Sequence, residues 1–385
     1  MLAVSFLAMS SSPQRFLPFS AALTAVGAGV ALSAVGGNWL PATLWHTVFA
    51  VGAFPMILLA MAYFVPVLTR TPDAPRALAL APLGAMLAGI GIVGYFAHGM
   101  LALRLDAPWV GLLAVAGFGA WLALRWRRCI GHPNPCLRWY AAALGMMATG
   151  LLAVAVSPYW PEQMHALRLF HIHVNTLGFI GLTAQGTLHV LLPTVAGRPD
   201  PEAATRLSCD FKWSALGLVL IAAGAALWPP LAVLGAALYF WPLARLVVHA
   251  WCTWRHEIVD AGTALPLLAA AVVGLVLVLV QGVVHAYDAS LGQADVALFI
   301  IAFLLPLVSG AAGHLLPVWL RPGPLGEWHR QARRMLAAGA RLRGLLFLAA
   351  GLLAAAGERA GYLLGMLGAA WLALAMAAAV MRRAR

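Results

Sequence analysis

The chain is 385 residues long, 63% hydrophobic and only 9% charged, with a mean hydropathy of +0.89 and a formal net charge of +12. That balance excludes a soluble globular protein and points to a polytopic chain in a lipid bilayer. The positive charge sits in short loops between apolar runs, which excludes a nucleic-acid partner as its reason.

Twelve apolar runs are long enough to span, at roughly 16–36, 45–68, 78–103, 108–126, 138–157, 167–193, 213–228, 231–252, 263–287, 295–320, 336–356 and 361–381. The expected fold is an all-α membrane helical bundle of about twelve transmembrane helices in one integral domain. The start, MLAVSFLAMSSSPQR, has no basic n-region and is not read as a cleaved signal. The seventh and eighth runs are divided only by Pro229-Pro230, as one kinked element or a tight hairpin. Of the 24 Lys and Arg residues, only Arg104, Arg168 and Arg359 fall at odd-numbered loops. The positive-inside rule then places both termini in the cytoplasm, and tryptophans such as Trp45, Trp109 and Trp319 mark the interfaces.

The second, sixth and tenth runs end on a similar tag: AYFVPVLTRTP, LHVLLPTVAGRP and GHLLPVWLRPGP. Twenty residues before Pro66 and Pro193 stand His46 and His173; the same count from Pro317 reaches Ala297. An echo every four runs suggests a three-fold pseudo-repeat of four-helix units, roughly 1–130, 131–255 and 256–385.

Histidines inside a bilayer are costly and face the bundle interior. By run direction, His46, His98, His171, His173 and His285 share one depth, toward the outside, whereas His189 and His314 lie toward the cytoplasm. His171 and His189 stand about 27 Å apart along a helix and cannot share a metal. His171 and His173, two residues apart, face different neighbours and so serve two sites. Imidazoles from two facing helices can ligate a haem iron axially, and imidazole also suits copper. His46 and His173 meet the depth condition. His189, His249 and His314 read as hydrogen-bonding residues near the cytoplasmic interface, and His132, His165, His256 and His329 as solvated loop residues. Cys129, Cys136, Cys209 and Cys252 form no CxxC or CxxCH pattern, so covalent c-type haem and a thiolate zinc site are unsupported.

With these residues in view, the sixth run resembles the tenth helix of the catalytic subunit of haem-copper oxidases, including the nitric-oxide reductase branch. There an HxH pair precedes a small-residue helix ending in Pro and Gly; the matching residues here are His171, His173, Gly178, Gly186, Pro193 and Gly197. The second run, with His46, Pro55, Pro66 and the tail TPDAP, is similar to that family's second helix, which carries one low-spin haem ligand. The chain resembles more closely the smaller NnrS-type membrane haem proteins, linked to nitric-oxide metabolism.

The resemblance implies a non-covalent b-type haem with His46 and His173 as axial ligands. It implies His171 as ligand of a second haem or other metal centre on the opposite side of the sixth run. His98 and His285 are the remaining candidates for copper. The implied activity is that of an oxidoreductase in electron transfer or oxygen and nitric-oxide chemistry. The implied setting is a bacterial-type inner membrane, with respiratory-chain subunits or a cytochrome donor as partners.

The sequence departs from the oxidase pattern in having no His-His dyad and no His-x3-Tyr, so the copper site is incomplete and no catalytic residue is assigned. Its lone lysine, Lys212, reads as a loop residue, and Asp295 as the carboxylate nearest a membrane interior. The alternatives are a non-catalytic haem or copper protein for sensing or delivery, and a secondary transporter. The transporter reading suffers from having Asn175, Gln185 and Gln281 where coupling charges are usual.

Overall fold

A computed structural model describes residues 26–27, 41–260 and 262–382. The described residues form helices and no strand. Among the described residues eleven helices are long and apolar enough to cross a membrane: α1 Pro41–Thr69, α2 Arg76–His98, α3 Leu101–Arg127, α4 Cys136–Tyr159, α5 Pro161–Ala196, α6 Ala203–Leu227, α7 Pro229–Val259, α8 Leu265–His285, α9 Gly292–Leu320, α10 Glu327–Ala355 and α11 Arg359–Met381. The chain is therefore an all-α, multi-pass membrane bundle. The first expected run, 16–36, lies outside the described residues apart from Val26 and Gly27.

The Pro229-Pro230 step is a tight hairpin, not a kink. Pro229 and Pro230 open α7, where a missing N–H costs nothing. Gly224 of α6 leaves room for the Ala232 backbone, and Gly217 for the Tyr239 backbone.

Three helices form the centre. In their most apolar stretches 67% of α1, 72% of α5 and 89% of α9 is buried inside the protein, against 28–50% for the other eight. These are the second, sixth and tenth runs, the three with the shared tag. Aromatic rings join them: Phe54 to Phe179 at 5.4 Å, Phe49 to Phe299 at 5.7 Å and Tyr63 to Trp319 at 6.2 Å between ring centroids.

Each central helix is interrupted by a π-helical stretch: Thr47–Ala53 in α1, Val174–Gly181 in α5 and Phe299–Leu304 in α9. Each then resumes as α-helix and carries a proline near its end, Pro66, Pro193 or Pro317. In α1 and α9 the π stretch runs straight into Phe54-Pro55 and Leu305-Pro306. A proline ring crowds the carbonyl of the preceding turn and offers it no N–H. The wider i→i+5 turn takes up that conflict. In α5 the equivalent position is Leu182, and another device is used: the Tyr239 hydroxyl donates to the Leu177 carbonyl at 2.8 Å.

Neighbouring helices reach the π stretches through glycine. A Cβ on Gly89 of α2 would sit 2.5 Å from the Ala50 backbone. On α9, Gly274 of α8 and Gly351 of α10 both lie against Ala302, where a Cβ would overlap it. Small residues at such crossings bring backbones together where lipid supplies no hydrophobic drive.

Two smaller readings change with the structure. Lys212 lies within α6, not in a loop. His329 is not solvated: it is buried in α10, where Nδ1 accepts from the Gly326 N–H at 3.1 Å and Nε2 donates to the Arg321 carbonyl at 2.8 Å. It ties the connection before α10 to the helix start.

Gly274→Leu is expected to destabilise the bundle by at least about 1–3 kcal/mol, since overpacking against backbone has no side-chain remedy. Gly145, exposed and with nothing within 4 Å of where a Cβ would stand, is the control. Gly145→Ala is expected to leave the thermal midpoint in detergent unchanged or higher, for a stability gain of at most about 0.5–1 kcal/mol. Equal midpoints for Gly274→Leu and the parent protein would contradict the packing described.

Candidate functional site: a two-histidine cavity

A cavity of about 740 Å³ lies among α1, α2, α3, α4 and α5 and reaches the start of α9. It is at the end of the bundle where α1 and α5 begin, opposite the closing prolines. Ala88, Gly89, Ala107 and Ala50 keep part of its wall thin, while Phe49, Phe54, Phe96 and Phe179 supply flat apolar surface. That size and lining suit a cofactor or drug-sized ligand.

His46 and His171 face each other in this cavity. Their ring centroids are 6.4 Å apart and their planes differ by 18°. Two imidazoles that share one metal at about 2 Å per nitrogen have centroids roughly 6 Å apart. Phe96 rests against the His46 ring at 4.9 Å.

Each ring is held by its other nitrogen. His46 Nδ1 donates to the Ala42 carbonyl at 2.7 Å, and His171 Nδ1 donates to the Gly150 carbonyl at 2.9 Å. A carbonyl only accepts, so Nδ1 carries the proton and Nε2 presents its lone pair. This backbone tether on the non-ligating nitrogen is the usual support of a metal-binding histidine. The Asn175 amide rests on the His171 ring, 3.0 Å from Nδ1 and 3.4 Å from Nε2. Gly150 makes room for it, since a Cβ there would strike Val174 and Asn175.

The cavity rim is cationic. Arg104 and Arg168 both line it, with Ser157, Ser290 and Gln293. Arg104 lies over the Tyr95 ring at 5.6 Å and donates to its hydroxyl at 3.4 Å. No Asp or Glu is among the described lining residues. The rim loop is fixed by Ser290, whose hydroxyl and N–H both donate to Asp288 at 2.6 and 3.0 Å. Those bonds hold the Asp288 carboxyl below its usual range.

The other three candidates lie elsewhere. His173 does not line the cavity; its Nδ1 donates to the Leu169 carbonyl at 2.8 Å. Its ring lies within electrostatic reach of His285. His285 sits 3.7 Å from Asp295 and bonds to the Asp288 carbonyl at 3.2 Å. His98 is exposed at the end of α2, outside the cavity. The histidine that meets His46 is therefore His171, and the two histidines of the HxH pair do serve different neighbours. Among the described residues no three His, Cys, Asp or Glu side chains gather into a group that could hold a metal ion.

Two features went unread as parts of a site. Arg104 and Arg168 were visible only as exceptions to the positive-inside pattern, and that exception was the usable signal. Asp210, with no exposed surface, is a more deeply buried carboxylate than Asp295, and it belongs to a second polar cluster around His189. Compared with protein-family models and with curated proteins, the chain matches none.

Proposed function

We propose that the chain is a membrane haem protein of bacterial-type inner membranes that binds one b-type haem between His46 and His171 and works in electron transfer. The observation that carries this reading is the pair of imidazoles in the cavity, 6.4 Å apart between ring centroids and each tethered to a backbone carbonyl through Nδ1. The absence of any CxxCH pattern makes the haem non-covalent. The cavity's volume, aromatic walls and cationic rim all fit a flat, apolar macrocycle with two carboxylates.

When bound, the haem supplies a one-electron couple at its iron. The protein's residues do the rest. The Ala42 and Gly150 carbonyls fix the tautomer and aim the two rings. The Asn175 side chain lies against the His171 ring, so groups on α1, α4 and α5 all bear on the two imidazoles. Phe49, Phe54 and Phe179 exclude water from the faces. Arg104 and Arg168 balance the carboxylates at the rim, which explains why they break the charge pattern of the loops. Were His46 and His171 both to hold the iron, the chemistry supplied would be electron transfer rather than oxygen or nitric-oxide binding. A respiratory subunit or a cytochrome is the natural electron partner.

The loop charges set the orientation. The end with the closing prolines carries nearly all Lys and Arg and faces the cytoplasm, along with both termini. The haem cavity then lies on the outer side.

The reduced-minus-oxidised spectrum of the purified protein is expected to show a low-spin b-type band that carbon monoxide does not alter. His46→Ala and His171→Ala are each expected to abolish it, while His173→Ala keeps it. Colourless parent protein with trace iron would end the haem reading, and loss of the band in His173→Ala alone would move the ligand. For orientation, a labelling reagent that cannot cross membranes is expected to reach a cysteine placed at Ser290 from outside intact cells. Labelling there only after lysis would reverse the assignment.

A further inference from the structure

A second polar cluster lies at the opposite, cation-rich end of α5, α6 and α7, and the haem reading leaves it unused. At its centre His189 and Asp210 face each other, with side chains 1% and 0% exposed. His189 Nδ1 donates to the Gln185 carbonyl at 2.8 Å, so Nε2 is an acceptor. It looks across 4.0 Å at Asp210 Oδ2, also an acceptor. Neither atom has a partner in the protein. Two buried acceptors facing one another without a donor are costly unless a donor or cation sits between them.

The surroundings select which. Arg245 donates to the other Asp210 oxygen at 2.8 Å. The charges of Arg206, Asp200 and His249 also reach His189. Asp200 pairs with Arg206 and accepts from His249 Nε2 at 3.0 Å. From α4, packed on the other side, come Trp139, Cys136 and Tyr140, the last bonded to Thr187. Two guanidiniums disfavour a divalent metal, and among the described residues no third His, Cys, Asp or Glu completes a metal-binding group here. A gap of 4.0 Å between acceptors fits one water carrying a shared proton.

The cluster is graded from surface to interior. Arg245 and His249 are 40% and 24% exposed and form its mouth. Beyond His189, Ser214 donates to Gln185 Oε1 at 3.0 Å, and the Gln185 amide nitrogen has no partner. Gln185 lies beside the Tyr239 hydroxyl, which donates to the Leu177 carbonyl of the π stretch.

We infer that His189 and Asp210 form a proton-binding site, loaded through water from the cation-rich end of the bundle past Arg245 and His249. The site stands on its own geometry and is independent of what occupies the outer cavity.

The test is hydrogen–deuterium exchange at the histidine C2 position, read residue by residue by mass spectrometry on the full chain in lipid nanodiscs across pH 5 to 9. His329 is the internal control, since it is as buried as His189, 6% against 3% exposed, but both its nitrogens are bonded to backbone. His189 is expected to exchange at least ten times faster than His329 and to show one titration. Asp210→Asn is expected to move its midpoint to lower pH by about one unit, and Arg245→Gln to higher pH, as removal of an anion or a cation beside an imidazole dictates. If His189 exchanges as slowly as His329, or neither variant moves its midpoint, the inference fails. The His189–His329 comparison needs no variant, so a poorly folding Asp210→Asn leaves the test decisive.

Discussion

A backbone group freed in the middle of a bilayer has no water to turn to. That constraint governs the three central helices, each of which departs from α-helical pairing at the same level. Two of them need the departure because a proline follows. The third makes use of it: the Leu177 carbonyl is taken by Tyr239, and the chain around it carries Asn175 and Thr176 into the wall of the cavity. The glycines on α2, α8 and α10 let neighbours approach these wider turns. Without that close contact the central helices would not be held at the spacing that sets His46 opposite His171.

The second organising effect is electrostatic. The chain carries cations almost wholly at one end of the bundle, and the two polar centres use this asymmetry in opposite ways. The cavity between His46 and His171 sits at the cation-poor end and has its own pair of arginines at the rim. The His189 cluster sits at the cation-rich end, where Arg206 and Arg245 are each answered by an aspartate. Within an apolar bundle such charges persist only where they are paired or functional.

The hydropathy runs made the helices legible, because twenty consecutive apolar residues have few other solutions. The depth of the histidines followed from run direction, and the i, i+2 spacing of His171 and His173 correctly implied two separate neighbours. Which of the two would meet His46 was not legible. It depends on the rotation of α5 about its axis, set by Gly150, Met146 and Tyr239 on other helices. The repeat aligned His46 with His173 by count from the closing prolines, yet equivalent positions in related helices need not point at each other. Asp210 was missed for a simpler reason: it precedes the apolar stretch of its helix, and hydropathy alone assigns such a residue to a loop. His329 was misread the same way, since an amphipathic helix start looks like a polar connection.

One feature bears on how the protein is assembled. The two imidazoles of the cavity come from α1 and α5, with three complete membrane crossings between them. A chain emerging at about 5–20 residues per second exposes His46 for several seconds before His171 exists. During that interval the half-site is a single imidazole on a hairpin, without the Gly150 carbonyl, the Asn175 amide or Arg168. Insertion of α5 is thus the step that closes the cavity and brings its second imidazole opposite the first.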